Sequence, residues 1–139
     1  MEVEPEEGRM YITLGLLQAF IALGAIGGGL ILVLDPSGAA MGLPVSMLEG
    51  SMFSDFLVPG LFLFAVNGLG SLVGAVLSFT KNRYAPLAAV ALGAILVAWI
   101  VIQVGIIQAI DWLHALYFVL GSVELVLGVL AMRRQKKAA

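Results

Sequence analysis

Glu124 is the one carboxylic acid inside the long apolar runs of this 139-residue chain. On the same helical face stand His114, Tyr117, Gly121, Gly128 and Ala131, separated from it and from one another by threes and fours. An acid in hydrocarbon can hold a proton, meet a cation or hydrogen-bond a neighbour. Ionised at the bilayer centre it costs ~2.5–3.5 kcal/mol on insertion scales. Residues 10–80 and 84–132 contain no lysine or arginine to offset that charge. The sequence therefore predicts a neutral Glu124 that donates to a nearby amide. Counting at ~1.5 Å per residue places Asn67 within about a turn of its depth, and Gln18 roughly a turn from the centre of its own span. Glu124, Asn67 and Gln18, with Tyr117 beside them, form the expected proton or ligand site. The plainer alternative is a neutral acid that only ties the core together.

A second polar group, His114, Asp111, Gln108 and Asp55, maps to the outer interface. A hydrolytic site there would need a serine from the neighbouring loop (Ser46, Ser51 or Ser54) beside His114 and Asp111, a geometry that no spacing supplies. His114 reads better as an interface anchor alongside Trp112 and Tyr117. Metal sites take three or four ligands, and one histidine with no cysteine does not make one. The missing cysteines also exclude disulfides and thiol chemistry. Gly27-Gly28-Gly29 lies inside an apolar run, where it loosens a helix and cradles no phosphate. Seven basic against nine acidic residues, a net charge of −2, leave no surface for nucleic acid. We expect no enzyme, no metal and no cofactor.

The elements that must position these residues are membrane helices. The chain is 61% hydrophobic and 12% charged, whereas soluble domains are ~25% charged. Four stretches reach the ~20 apolar residues a span requires: about 10–34, 56–79, 87–110 and 112–132, in a single domain over 1–139. The acidic segment MEVEPEEGR and the length of the first run argue against a cleaved signal. Basic residues cluster at Lys81 and Arg83 and again at Arg133, Arg134, Lys136 and Lys137. Positive-inside counting puts both termini in the cytoplasm and the 35–55 loop outside. Short connections make successive spans antiparallel neighbours, an all-α up-down four-helix bundle. Pro44 to Gly50 predicts a short extracytoplasmic helix at the membrane mouth, and Ser54 or Asp55 can cap the second span.

Small and polar residues mark inward faces, because polar groups avoid lipid and small ones admit a neighbouring helix. In the first span these are Tyr11, Gly15, Gln18, Ala22, Ala25 and Gly29. In the second they are Gly60, Phe64, Asn67, Ser71, Gly74 and Ser78. In the third they are Ala91, Ala94, Ala98, Gly105 and Ala109. The pairs Gly24/Gly28 and Gly70/Gly74 have GxxxG spacing, and Gly121/Gly128 line the fourth span. Packing inside one bundle is the reading preferred over a dimer interface.

The stretches LPVSMLEGSMFSDFLVPGLFLFAVNGLG and LHALYFVLGSVELVLG resemble a kind of small four-helix bacterial inner-membrane protein. Its members carry a loop proline, a Phe-x-Asp-Phe-like approach to the second helix, then Pro-Gly and a mid-helix Asn-Gly. Here these are Pro44, Phe53, Asp55, Phe56, Pro59, Gly60, Asn67 and Gly68. The resemblance covers about half the chain, implies the architecture and the membrane, and brings no activity with it. The DoxX-like proteins are similar in size and span number alone. Small multidrug-resistance transporters also have four spans and one embedded glutamate, but theirs is in the first helix, where this chain has Gln18. Two functions remain open. One is a non-enzymatic accessory subunit that binds membrane lipids, a larger membrane complex or a second copy. The other is a small proton-linked transporter or hydrophobic-ligand binder using Glu124.

Overall fold

A computed structural model describes residues 5–107 and 112–138. Its elements are α1 (Pro5–Leu34), α2 (Leu57–Phe62), a π segment (Leu63–Leu69), α3 (Gly70–Phe79), α4 (Ala85–Ile107) and α5 (Trp112–Ala138), with short 3-10 turns at Ala39–Met41 and Val45–Leu48. Four helical stretches are long and apolar enough to cross a membrane: Gly8–Leu34, Leu57–Phe79, Ala85–Ile106 and Trp112–Lys137. The four expected stretches are helical where they are described: the first and last run on past the expected bounds, the second begins at Leu57, and the third runs from Ala85 to Ile107, where the described residues break off. The acidic start is helical from Pro5 and the basic tail continues α5 to Ala138. Gln108, Ala109 and Asp111 lie outside the described residues.

Two tight pairs build the bundle. In the first, α1 lies antiparallel to the second span with glycines at the contacts. A Cβ on Gly60 would stand 2.7 Å from Leu32 Cβ, and one on Gly68 would stand 2.7 Å from the Ile26 side chain. A Cβ on Gly29 would meet the Phe64 backbone. In the second pair, α4 with α5, Gly93 lies against the backbones of Leu125 and Gly121, and Gly128 against that of Val90. Ile21 of α1 joins the pairs by packing with Leu96 and Ile100 of α4, and Phe62 stacks on Trp99 at 4.6 Å. Dispersion between closely apposed backbones drives such packing, since lipid removes the hydrophobic incentive.

The inward faces of three spans match expectation. Gly15, Gln18, Ala22, Ala25 and Gly29 are buried, as are Gly60, Asn67, Ser71, Gly74 and Ser78, and Gly121, Glu124, Gly128 and Ala131. Tyr11, Phe64, His114 and Tyr117 are half-buried. The third span differs. Ala91, Ala94, Ala98 and Gly105 are exposed, and the buried row is Ala85, Ala89, Gly93, Leu96 and Ile100. From Leu87 to Ile102 this span has no Ser, Thr, Asn, Gln or charged residue to mark a side, so the fit of Gly93 and Ala89 against α5 decides the rotation.

The second span also departs from a plain helix. Between Leu63 and Leu69 the turns widen, and the Gly70 N–H reaches back five residues to the Ala65 carbonyl. The extra room lets consecutive residues, Asn67 and Gly68, both face inward.

The loop from Asp35 to Phe56 is folded over the end of the bundle. The Phe56 N–H donates to the Pro36 carbonyl at 2.8 Å, closing its two ends. Where a short helix over Pro44 to Gly50 was expected, four residues form a 3-10 turn, because Gly50 turns left-handed at φ +85° and leaves too little chain to propagate an α-helix. Leu48 on this turn is buried with Leu32 and Phe56, so the turn seals the bundle end. Asp55 accepts from the Leu57 N–H at 3.0 Å and so serves the start of α2.

Asp35 is the clamp at the other end of this loop. Its carboxylate accepts from the Ser37 hydroxyl at 2.6 Å and the Ala40 N–H at 2.9 Å, and those bonds hold the carboxyl below its ordinary value of 3.8. A group depressed in the folded state contributes fully above the unfolded value and loses that contribution as pH falls through the folded one. The protection of backbone amides at residues 38–42, taken relative to their intrinsic exchange rates, should therefore be constant near neutral pH and fall only below about pH 4. Asp35→Asn should remove that acid loss of protection. Protection that does not fall in acid in the wild type would show that the clamp does not hold the loop.

Candidate functional site: a buried acid, amide and hydroxyl

Glu124, Gln18 and Ser78 are each 0% exposed. α1 brings Gln18, α3 brings Ser78 from the second span, and α5 brings Glu124, so the three meet on the seam between the two tight pairs. The Ser78 hydroxyl donates to Gln18 Oε1 at 2.6 Å. Gly74, one turn before Ser78, lets the Gln18 amide lie close: a Cβ there would stand 3.0 Å from Gln18 Nε2. Gln18 is also the side chain that acts on Glu124, yet among the described residues neither Glu124 oxygen nor Gln18 Nε2 has a partner in hydrogen-bond geometry. Buried polar atoms are paired in the large majority of cases, so three orphans on adjoining side chains mark a place that something polar can complete.

Asn67 and Tyr117 occupy a different level. Gly68 packs on Ile26, whereas Gly74 packs on Gln18. Eight residues along α1 separate those contacts, about 12 Å. Asn67, 1% exposed with Nδ2 unpaired among the described residues, therefore sits toward the loop end, well apart from Glu124. The Tyr117 hydroxyl rests on Gly24, between these levels, and its ring stacks with Phe20 at 6.4 Å. The single knot expected of Glu124, Asn67, Gln18 and Tyr117 is thus two polar sites along one seam. Ser71, 2% exposed, lies between them on the same face of the second span.

The counting estimate placed Asn67 level with Glu124 because it assumed spans of equal centring and a regular second helix. Ser78 entered that reading as a small residue and not as the hydroxyl that orders Gln18. Its position eleven residues beyond Asn67, on the same stripe, was the available signal.

The outer group does not assemble. His114 is half-buried and lines an apolar groove of about 410 Å³ with Ile100, Val104 and Phe118. Asp55 is engaged at the start of α2, while Gln108 and Asp111 are outside the described residues. Among the described residues no three His, Asp or Glu side chains group as a metal site would need. The packing glycines are all turned to neighbours within the chain: Gly24 to Tyr117, Gly28 to Leu63, Gly70 and Gly74 to Leu92, Gly121 to Leu96, Gly128 to Val90.

Fold and site together define a class: among the described residues, a helical bundle with four membrane-length helices and a buried acid whose oxygens have no partner in hydrogen-bond geometry. Compared with protein-family models, curated proteins and solved structures, the chain matches none.

Proposed function

We propose that the chain is a non-enzymatic integral membrane protein that works through Glu124, as a small proton-linked transporter or a binder of a hydrophobic ligand. The supporting observation is that Glu124 is wholly enclosed, with both oxygens unpaired among the described residues, and that residues 10–80 and 84–132 hold no lysine or arginine. A buried acid is tolerated when neutral or when a cation is brought to it. Either state changes on exchange of a proton or a ligand. A seam between two rigid helix pairs is also where such a site can open and close.

Infrared spectroscopy of the full chain in lipid vesicles tests this reading. At neutral pH a protonated-carboxyl stretch should be present in the wild type and missing in Glu124→Gln. The glutamine variant should keep its fold and lose transport or ligand binding. A Glu124 that is ionised in mildly acidic buffer, or a glutamine variant with undiminished activity, would remove the reading.

A second reading, an accessory subunit for a protein partner, draws on the third span. The row Ala91, Ala94 and Ala98 is left on the outside, and Gly27 of the first span has nothing within 4 Å of a would-be Cβ. Small residues facing lipid allow close approach by a helix of another chain. Ala94→Leu and Ala98→Leu should then reduce association in native membrane while sparing the stability of the isolated protein.

A bacterial inner membrane, with both termini cytoplasmic, belongs to the same proposal. The chain has no native cysteine, so single cysteines report side directly. At position 37 or 51 a cysteine should react with an impermeant maleimide from outside intact cells, and one at position 82 should not. The reverse pattern overturns the orientation.

A further inference from the structure

The end of the bundle opposite the loop carries a shallow, open-sided groove lined by Arg83, Tyr84, Leu87, Met132 and Gln135. We propose that this groove binds one anionic phospholipid, with the headgroup phosphate on Arg83 and an acyl chain along Leu87 and Met132.

Two of its lining residues are tied together across 52 residues of sequence. The Gln135 side-chain amide donates to the Arg83 carbonyl at 2.8 Å, fixing the end of α5 to the turn before α4. That turn is itself ordered. Asn82 N–H bonds to the Leu77 carbonyl and Lys81 N–H to the Ser78 carbonyl, the pairing that closes a helix with a left-handed residue. Lys81 takes the left-handed role at φ 53°. The Asn82 side chain then accepts from the Tyr84 N–H at 2.9 Å and starts α4.

Arg83 is aimed by its neighbour. Its guanidinium lies 4.7 Å from the centre of the Tyr84 ring and donates to the Tyr84 hydroxyl at 2.6 Å. A guanidinium has five N–H donors in a planar fork, so this contact leaves donors for a phosphate, which the fork grips in bidentate fashion. The charge next to the groove favours an anion. Both α4 and the last turns of α5 bring no acidic residue, and Arg133 and Arg134 follow Met132 directly. The glutamates of this end, at positions 2, 4, 6 and 7, belong to the chain before Gly8. Lys81 is not counted here, because its ammonium lies beside Gly8 at the start of α1. Leu87, 57% exposed, and Met132 supply the apolar wall that a free anion would not use. A cation at the level of an interfacial tyrosine, with hydrocarbon-facing side chains one turn deeper, matches the layering of a phospholipid.

Native mass spectrometry of the full chain in detergent, with phosphatidylglycerol or phosphatidylcholine of the same acyl chains, is the test. One phosphatidylglycerol per chain should be retained, and phosphatidylcholine should be lost. Arg83→Gln should weaken retention about fivefold to tenfold, as expected for one phosphate contact. Arg134→Gln, outside the groove lining, should change it little. Arg83→Lys should fall between, since it keeps the charge and loses the fork. Circular dichroism on the same samples should show unchanged helix in all three. Equal weakening by Arg83→Gln and Arg134→Gln would mean diffuse attraction to a basic tail and end the proposal. Equal retention of the two lipids, or displacement by inorganic phosphate at lipid-like concentrations, would do so as well.

Discussion

Leucine in place of Gly128 should destabilise the detergent-solubilised protein by about 1–3 kcal/mol or more, the range for overpacking a filled interior. Gly93→Leu should do the same. At both positions the obstacle is main chain: a Cβ would stand 2.8 Å from Val90 N at Gly128 and 2.7 Å from Leu125 N at Gly93. Backbone inside a helix cannot give way without separating α4 from α5. Gly121 should be more forgiving, because its first obstacle is the Leu96 side chain at 3.2 Å. Val119→Leu and Val126→Leu place the same bulk on residues that are 55% and 56% exposed, and should leave the melting temperature unchanged. Thermal unfolding of all five variants in one detergent decides the matter. Equal stabilities across the set would show that the α4–α5 face is misassigned.

Gln18→Leu should cost about 1–3 kcal/mol, the penalty for stranding buried polar partners. It removes the acceptor of Ser78 and the amide that acts on Glu124. The loss falls on the Ser78 hydroxyl, which recovers part of it by turning to the carbonyl four residues back. The Glu124 oxygens have no hydrogen-bond partner among the described residues to begin with, and lose only the adjoining amide. Ser78→Ala alone should therefore be mild, near the ~0.5–1.5 kcal/mol of a net hydrogen bond. Added to Gln18→Leu it should cost less than its own single effect, since the pair is already broken. Strictly additive losses in the double variant would indicate that Ser78 and Gln18 are not coupled.

How far the sequence was legible depended on whether a span carried polar marks. Gln18, Asn67 and Glu124 each announced an inward face, and the stripes around them are buried in the structure. The third span carried only alanines, a glycine at 93 and bulky apolar residues through most of its length. Its alanines suggested an interior that turned out to be Ala89, Gly93 and Leu96 instead. Depth was harder to read than phase. A face follows from a period of 3.6, but the relative height of two spans follows from loop geometry and from details such as the widened turns at Leu63–Leu69. That is why Gln18 and Glu124 meet while Asn67 stands apart from them. Ser78 and Gln135 were hard to single out for a related reason: their roles depend on partners sixty and fifty-two residues away.

The widened turns also store slack. A helix advances about 100° for each residue, so α2 and α3 are out of step by one residue's rotation across the π segment. If Leu63–Leu69 tightened to ordinary α-helical pitch, α2 would swivel by about that angle and slide ~1.5 Å along its axis relative to α3. Phe62 would leave its stack on Trp99, and Gly60 its seat on Leu32. Ser71 and Ser78, on the far side of the slack, would stay where they are against α1. Such a tightening would therefore turn the loop-side half of the second span, with the loop attached to it, and leave in place the half that orders Gln18 beside Glu124.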